Sequence, residues 1–327
     1  MNNRAMKAIP VLLALILFVS GCATIPGAAD LRLRTGRYGH AAVTDGKMIY
    51  VIGGSGPDGL LGDIEAIDPW SGRREVITTN LIPRRYHSAV IKRNRIYIVG
   101  GESGPMAQPV IETFDLKSRK IKMPTLLPTP RRLAQAALIG NDLYVIGGQD
   151  QKQLNKKSNR RTGMVEVYDI VGNKWRSAPL MPTPRECAVV AGHGKIYAIG
   201  GYTGGKTGLT AFETYDPKAG KWIQNPDIPF PLSSGCALLL RNRIFTFGDY
   251  KKLNRVASCS LRNHEWTELD IDYRKSRHNA CVRIGDEIFV IGGNITSSDS
   301  HLDMIQRFKV PELLKAKERA APKTEQQ

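Results

Sequence analysis

The phrase "YVIGG" at residues 50–54 recurs along the chain and limits what the chain can fold into. It returns as "YIVGG" (97–101), "YVIGG" (144–148), "YAIGG" (197–201) and "FVIGG" (289–293), with a worn copy, "FTFGD", at 245–249. The first glycines stand at 53, 100, 147, 200, 248 and 292, so the intervals are 47, 47, 53, 48 and 44 residues. A repeat of this length is one supersecondary unit that cannot bury its apolar face alone, so the units must stack.

Each unit repeats more than its glycines. An arginine-bearing turn and a short apolar stretch come first, as in "GRYGHAAV", "PRRYHSAV", "PRRLAQAAL", "PRECAVVA" and "SRHNACV". A variable loop follows the glycine pair, and then Glu-x-x-Asp: Glu65/Asp68, Glu112/Asp115, Glu166/Asp169 and Glu213/Asp216. Six residues beyond the aspartate stands Trp175 or Trp222, and Trp266 is spaced likewise from Ser260 in the fifth unit. "HAAVTDGKMIYVIGG" reads as strand, Asp-Gly turn, strand; "VEVYD" alternates as a half-buried strand; "KWRSAPL" makes a fourth. Residues 30–310 carry no helical period. Four-stranded antiparallel units stacked radially into a closed ring also remove the exposed-edge problem.

The turn arginine, double glycine, Glu-x-x-Asp and tryptophan resemble those of kelch repeats, over roughly residues 36–310. The resemblance implies an all-β, six-bladed kelch-type β-propeller with four-stranded antiparallel blades. The fifth unit departs from the pattern, with Gly-Asp for Gly-Gly and "SCSL" for the acidic strand. The sixth has three strands, ending in "MIQRFKV", and "LRLR" at 31–34 has no other partner. It is expected to supply the missing strand and close the ring, giving a propeller over 31–310 and a charged tail, helical or disordered, over 311–327.

Residues 1–21 read as a lipoprotein signal peptide. Arg4 and Lys7 precede an apolar run at 9–19 that is too short to span a bilayer, and Val19-Ser20-Gly21-Cys22 forms the cleavage box. Cys22 is the expected lipidation site, followed by a tether over 22–30. The expected location is the bacterial cell envelope, on the outer membrane facing the periplasm or the surface. The remaining cysteines, Cys187, Cys236, Cys259 and Cys281, allow three pairings or none, and their apolar settings suit buried thiols equally well.

The glycine pairs Gly53/Gly54, Gly100/Gly101, Gly147/Gly148, Gly200/Gly201 and Gly292/Gly293 are read as structural, each ending its second strand at a sharp turn. A phosphate cradle would need a following helix, and none follows. The net charge of +17, or +15 without Arg4 and Lys7, is the informative feature. Arg37, Arg84, Arg85, Arg131, Arg132 and Arg185 precede first strands, and the third unit's insertion carries Lys152, Lys156, Lys157, Arg160 and Arg161. In a four-stranded meander both loop sets open on one side of the ring, giving a basic loop face. Export removes nucleic acid as a partner. The face is expected to bind an anionic ligand: a glycan, a lipid headgroup or an acidic peptide segment.

His40 and His87 occupy equivalent positions in neighbouring units but have no third ligand at metal-binding spacing. No catalytic residue, metal or cofactor is assigned. The reading is a monomeric, lipid-anchored binding or scaffold protein. The alternative is a mutarotase: in repeat type, size and export the chain also resembles the periplasmic kelch propellers that act on sialic acids. That resemblance implies an acid beside an arginine at the channel mouth, for which Arg185 and Glu186 are the adjacent pair.

Overall fold

The computed structural model describes residues 31–150, 161–205, 207–233, 235–296 and 300–316. Cys22, Lys152, Lys156, Lys157 and Arg160 lie outside them. The chain forms a six-bladed β-propeller of antiparallel blades whose strands follow sequence order from the channel outwards. Blade 1, for example, runs Ala41–Thr44, Ile49–Gly56, Gly59–Ile67 and Arg74–Thr78. First strands from all six blades line the central channel. The aspartate of each Glu-x-x-Asp caps the hairpin between third and fourth strands. Asp169, for instance, accepts the amides of Val171 (2.9 Å) and Gly172 (3.0 Å), an Asx turn.

The core is divided into six clusters, one at each junction between blades. Between blades 1 and 2, Ile52 and Ile64 pack on Ile96, Ile98 and Phe114; between blades 4 and 5, Phe212 and Leu232 pack on Ile244 and Trp266. The tryptophans serve the same junctions. Trp175 donates to Thr125 Oγ1 (2.9 Å) and Trp222 to the Pro179 carbonyl (3.0 Å), each reaching back one blade.

The last junction closes the ring. Arg32 bridges Met304, the Leu33 amide donates to the Asp303 carbonyl (2.7 Å), and the Ile305 amide donates to the Leu31 carbonyl (3.1 Å). Leu31 and Leu33 are buried with Ile291, Phe289 and Ile49. The N-terminal segment thus stands as the fourth strand of blade 6, as expected. After the last strand a helix, Val310–Lys315, sends Val310 and Leu313 into the cluster between blades 5 and 6.

The double glycine is the joint between blades. The amides of Gly54, Gly148 and Gly293 donate to the carbonyls of Arg84, Arg185 and Arg37, each the turn arginine of the next blade. The Gly201 amide does the same to the carbonyl of Leu232 (2.7 Å), which takes the turn arginine's place in blade 5, as Ser276 does in blade 6. A Cβ on Gly100 (φ 65°) would lie 2.6 Å from the Arg131 carbonyl oxygen, so neither its conformation nor its contact admits a side chain. In the worn fifth blade Asp249 replaces the second glycine, and its carboxylate accepts the amides of Ser233 (2.7 Å) and Lys252 (2.9 Å).

The pair does not always end its strand. In blades 3 and 6 the strands Asp142–Ile146 and Glu287–Ile291 stop just before Gly147 and Gly292, as expected. In blades 1, 2 and 4 the strand runs on through Gly54, Gly101 and Gly201 to Gly56, Ser103 and Tyr202. Placing Gly101 and Gly201 at a strand end is therefore corrected. They take φ of 88° and 110° inside a continuing strand, which turns there and pairs again at the next residue, Glu102 with Arg85 and Tyr202 with Glu186. The added pairing carries the residue beyond the glycines to the channel mouth.

Candidate functional site: the mouth of the central channel

The turn arginines do not form a basic face. Arg37, Arg84, Arg131 and Arg185 are at most 1% exposed, and each runs inwards to an acid on the third strand of its own blade. Arg37 meets Asp63 (2.7 Å) and Glu65 (3.6 Å), Arg84 meets Glu112, Arg131 meets Glu166 (2.9 Å), and Arg185 meets Glu213 (2.5 Å). The same guanidinium groups donate to second-strand carbonyls, those of Gly53, Gly100, Val145 and Gly200. Burial pushes the Glu65 and Glu112 carboxyls up and the Arg84 and Arg131 guanidinium groups down, and each partner's charge opposes the shift. These four arginines are internal clamps. Placing them on a binding face is corrected, because an arginine recurring in register with a glutamate is a pair and not a display.

The residues facing the channel mouth stand one place further along. Six cross-strand pairs join the residue after the turn-arginine position (Leu232 in blade 5, Ser276 in blade 6) to the residue after the glycine pair or its Gly-Asp equivalent: Tyr38 with Ser55, Arg85 with Glu102, Arg132 with Gln149, Glu186 with Tyr202, Ser233 with Tyr250, and Arg277 with Asn294. These pairs share a register and differ in chemistry. Arg85 donates to Glu102 (2.7 Å) and to the Tyr38 hydroxyl (2.8 Å); Arg132 donates to Glu102 (2.6 Å) and to Gln149 (2.5 Å). Arg161 stands 3.5 Å from Glu186 and over Tyr202, and Arg277 lies 4.1 Å from the Tyr250 ring centroid.

A girdle of backbone hydrogen bonds supports part of this rim. Gly39 donates to His278, Tyr86 to Gly39, and Leu133 to Tyr86, at 2.6–2.8 Å. To point amide and carbonyl along the ring, Tyr86 (φ 55°), Leu133 (φ 56°) and His278 (φ 50°) take the left-handed conformation, which is costly for bulky residues. The fourth blade breaks the girdle: Ala188 pairs ahead of the glycines only three residues after Arg185, against four in blades 2 and 3. At the break opens a cavity of ≈ 260 Å³ lined by residues including Tyr86, Arg132, Arg161, Glu186, Tyr250 and Arg277. It shares Tyr86, Leu133, Glu186 and His278 with the channel below, which holds ≈ 240 Å³.

Burial pushes the Glu186 carboxyl up, and the charges of Arg161 and Arg132 oppose it. Desolvation, with the charges of Arg277 and Arg85, lowers the half-buried His278 to about 4, so it is neutral near pH 7; its Nδ1 lies 3.1 Å from Asn294 Oδ1. Burial raises Tyr86 to about 12. Deeper in the wall, His40 and His87 are held at about 3, chiefly by burial and then by Arg37 and Arg84 respectively. Cys187, Cys236 and Cys281 also line the channel, and all four described cysteines are free thiols.

The structure therefore divides the expected basic residues. Arg85, Arg132 and Arg161 reach the mouth, whereas the four clamps do not. Arg185 and Glu186, neighbours in sequence, turn to different partners: Arg185 to Glu213 and Glu186 to Arg161. Arg277, Tyr202 and Tyr250 were missed by sequence reasoning. Aligning the six repeats and reading the column after the turn-arginine position and the column after the glycine pair finds them.

The model of the KLHDC2/KLHL20/DRC7 Kelch-repeats domain matches residues 28–180 and 120–293, and the chain belongs to this kelch-repeat family. It is similar to Kelch-like protein 25 of Xenopus tropicalis, 26% identical over 132 residues, covering 39% of this chain and 22% of that protein. Kelch-like protein 36 of Mus musculus is 33% identical over 102 residues (30% and 16%), and human Kelch-like protein 23 is 40% identical over 79 (23% and 14%). The chain thus spans about a fifth or less of the length of these relatives.

Proposed function

We propose that this propeller is a recognition module that docks an acidic segment of a partner protein at its channel mouth, held at the envelope membrane by lipid on Cys22. The observation that carries the reading is the convergence of Arg85, Arg132, Arg161 and Arg277 with Tyr38, Tyr86, Tyr202 and Tyr250 on one mouth. Guanidinium groups backed by aromatic faces offer paired donors to carboxylates with little ordering cost. The cavity suits one or two side chains of a segment, not a folded element. Among the described residues no helix is long and apolar enough to cross a membrane.

The test is a panel of acidic, neutral and basic peptides, with glycan and anionic-lipid arms, titrated against mature protein at low and high salt. Acidic peptides should bind, and weaken as salt rises. Preference for neutral ligands, indifferent to salt, refutes the reading; preference for glycan or lipid moves the partner class.

A second reading, a sugar-acid mutarotase, draws on Glu186, whose carboxyl burial pushes up and which stands 3.5 Å from Arg161 at the mouth. It requires faster anomer exchange of a sialic acid with wild-type protein than with Glu186→Gln, followed by NMR.

A further inference from the structure

The mouth's four arginines are not equivalent. Arg85 and Arg132 share Glu102, each donating to one of its oxygens, and each has a further partner in Tyr38 or Gln149. Arg161 faces Glu186. Arg277 is different. It is 8% exposed, its Nε is buried without a partner, and among the described residues its guanidinium makes no hydrogen bond or ion pair. Its one side-chain contact of note is the face of Tyr250, at 4.1 Å. Its neighbour His278 is neutral and already engaged with Asn294, so it neither balances nor competes with the charge. A largely buried arginine whose Nε has no partner and whose charge no acid balances is open to an oxyanion.

The position also fits a ligand. Arg277 lines the cavity at the break in the backbone girdle, with Ser233, Tyr250 and His278 beside it and Glu186 on the wall. Its backbone is fixed by hydrogen bonds in both directions with Asn294, at 2.9 Å each, and Tyr250 holds the guanidinium plane from one side. The edge of the fork remains for a planar oxyanion. Glu186 sets a limit on that oxyanion's charge, because a dianion would meet a carboxylate of like sign in the same small cavity.

Building on the recognition reading above, we infer that Arg277, stacked on Tyr250, is the anchoring subsite for a single carboxylate of the bound ligand. Arg85, Arg132 and Arg161 are already partnered and shape and polarise the wall around it. The carboxylate can belong to a free small acid or to a polypeptide, and the two sources are separated by experiment.

The probes are benzoate, its neutral isostere benzamide, and inorganic phosphate, titrated calorimetrically into wild type, Arg277→Met, Arg277→Lys and Arg119→Met. Arg119 pairs with Glu75 on the outer surface, so its loss removes a charge away from the mouth. Benzoate should bind wild type and Arg119→Met alike, and bind Arg277→Met about tenfold or more weakly, the range for losing a charge-assisted hydrogen-bond pair. Arg277→Lys should fall between, since it keeps the charge and loses the fork; it also reads the effect should Arg277→Met fail to fold. Benzamide should not compete, and phosphate should bind more weakly than benzoate.

Benzoate binding unchanged in Arg277→Met, tighter binding of phosphate, or no benzoate binding to wild type overturns the inference. Acidic peptides held equally by wild type and Arg277→Met overturn the anchor and leave the recognition reading standing. Benzoate held at Arg277 with no peptide bound at all overturns the recognition reading and leaves the anchor.

Discussion

Acid should loosen this ring through two histidines before it reaches the carboxylates. His40 and His87 are buried and held at about 3, against 6.5 for an ordinary histidine. A histidine lowered in the fold binds fewer protons there than in the unfolded chain. Stability is therefore full above the unfolded value and is lost as pH falls below about 6.5, until the folded value near 3 is reached. Between pH 7 and pH 5 each histidine loses about 2 kcal/mol, so the pair loses about 4 kcal/mol, a large share of a typical domain's stability. Glu65, Glu112 and Glu186 are raised by burial and contribute with the opposite sign, so the whole-protein slope mixes both kinds of group. A difference measurement isolates one. In His87→Asn the new residue copies Asn279, which takes the equivalent place against the glycine pair of blade 6. Urea unfolding of wild type and variant at pH 5, 6, 7 and 8, at constant ionic strength, should show the variant losing about 2 kcal/mol less between pH 7 and pH 5. Curves for the two proteins that fall in parallel, within about 0.5 kcal/mol, would show that the wall is wet enough to charge His87 in the folded ring.

Three further outcomes test the joints and the proposed lipid anchor. Glu112→Gln should cost about 3–5 kcal/mol in chemical unfolding, because Arg84 is left buried without its charge partner; Arg84→Met with Glu112→Leu should cost less than the sum of its singles. Gly100→Ala, with its Cβ against the Arg131 carbonyl, should lower the melting temperature clearly more than Gly46→Ala, which has the same unfavourable φ sign but nothing within 4 Å. Cys22→Ala, expressed in a bacterial host with lipoprotein processing, should move the protein from the membrane fraction to the soluble one; unchanged partitioning refutes lipidation at Cys22.

The frame was legible because its signals repeat. Glycine pairs counted the blades, and an orphan "LRLR" paired with a blade one strand short pointed to the closure. The binding residues were harder to see for the same reason. Repetition marks what every blade needs, and the arginine every consensus blade needs is the clamp to its own glutamate. The same logic makes the recurring Glu-x-x-Asp acids structural, and it applies equally to Arg37, Arg84, Arg131 and Arg185, the other halves of those pairs. The mouth is written in the neighbouring column, where Tyr38, Arg85, Arg132, Glu186, Ser233 and Arg277 share nothing but register. No local pattern in sequence tells a buried arginine from one at the rim when they are adjacent, as Arg84 and Arg85 are; the inward path exists only once the third strand is in place. Nor does a glycine pair say whether its strand stops, as at Gly147, or continues, as at Gly101 and Gly201, because that depends on the partner the next residue finds.

The closing strand also has a consequence in time. Leu31 and Leu33 are made before any blade, yet the strand they pair with follows Met304, and the Arg32–Asp303 contact spans 271 residues. For a free chain, closing a loop of that length costs about 5 kcal/mol in entropy. Once the five other junctions have formed, the two ends already lie side by side and that cost has been met in smaller steps. Until then two leucines and the open faces of blades 1 and 6 wait in water. The seam is the first part of the ring to be synthesised and the last to be finished, so a chain cut short before Met304 would leave a row of blades with an apolar face at each end.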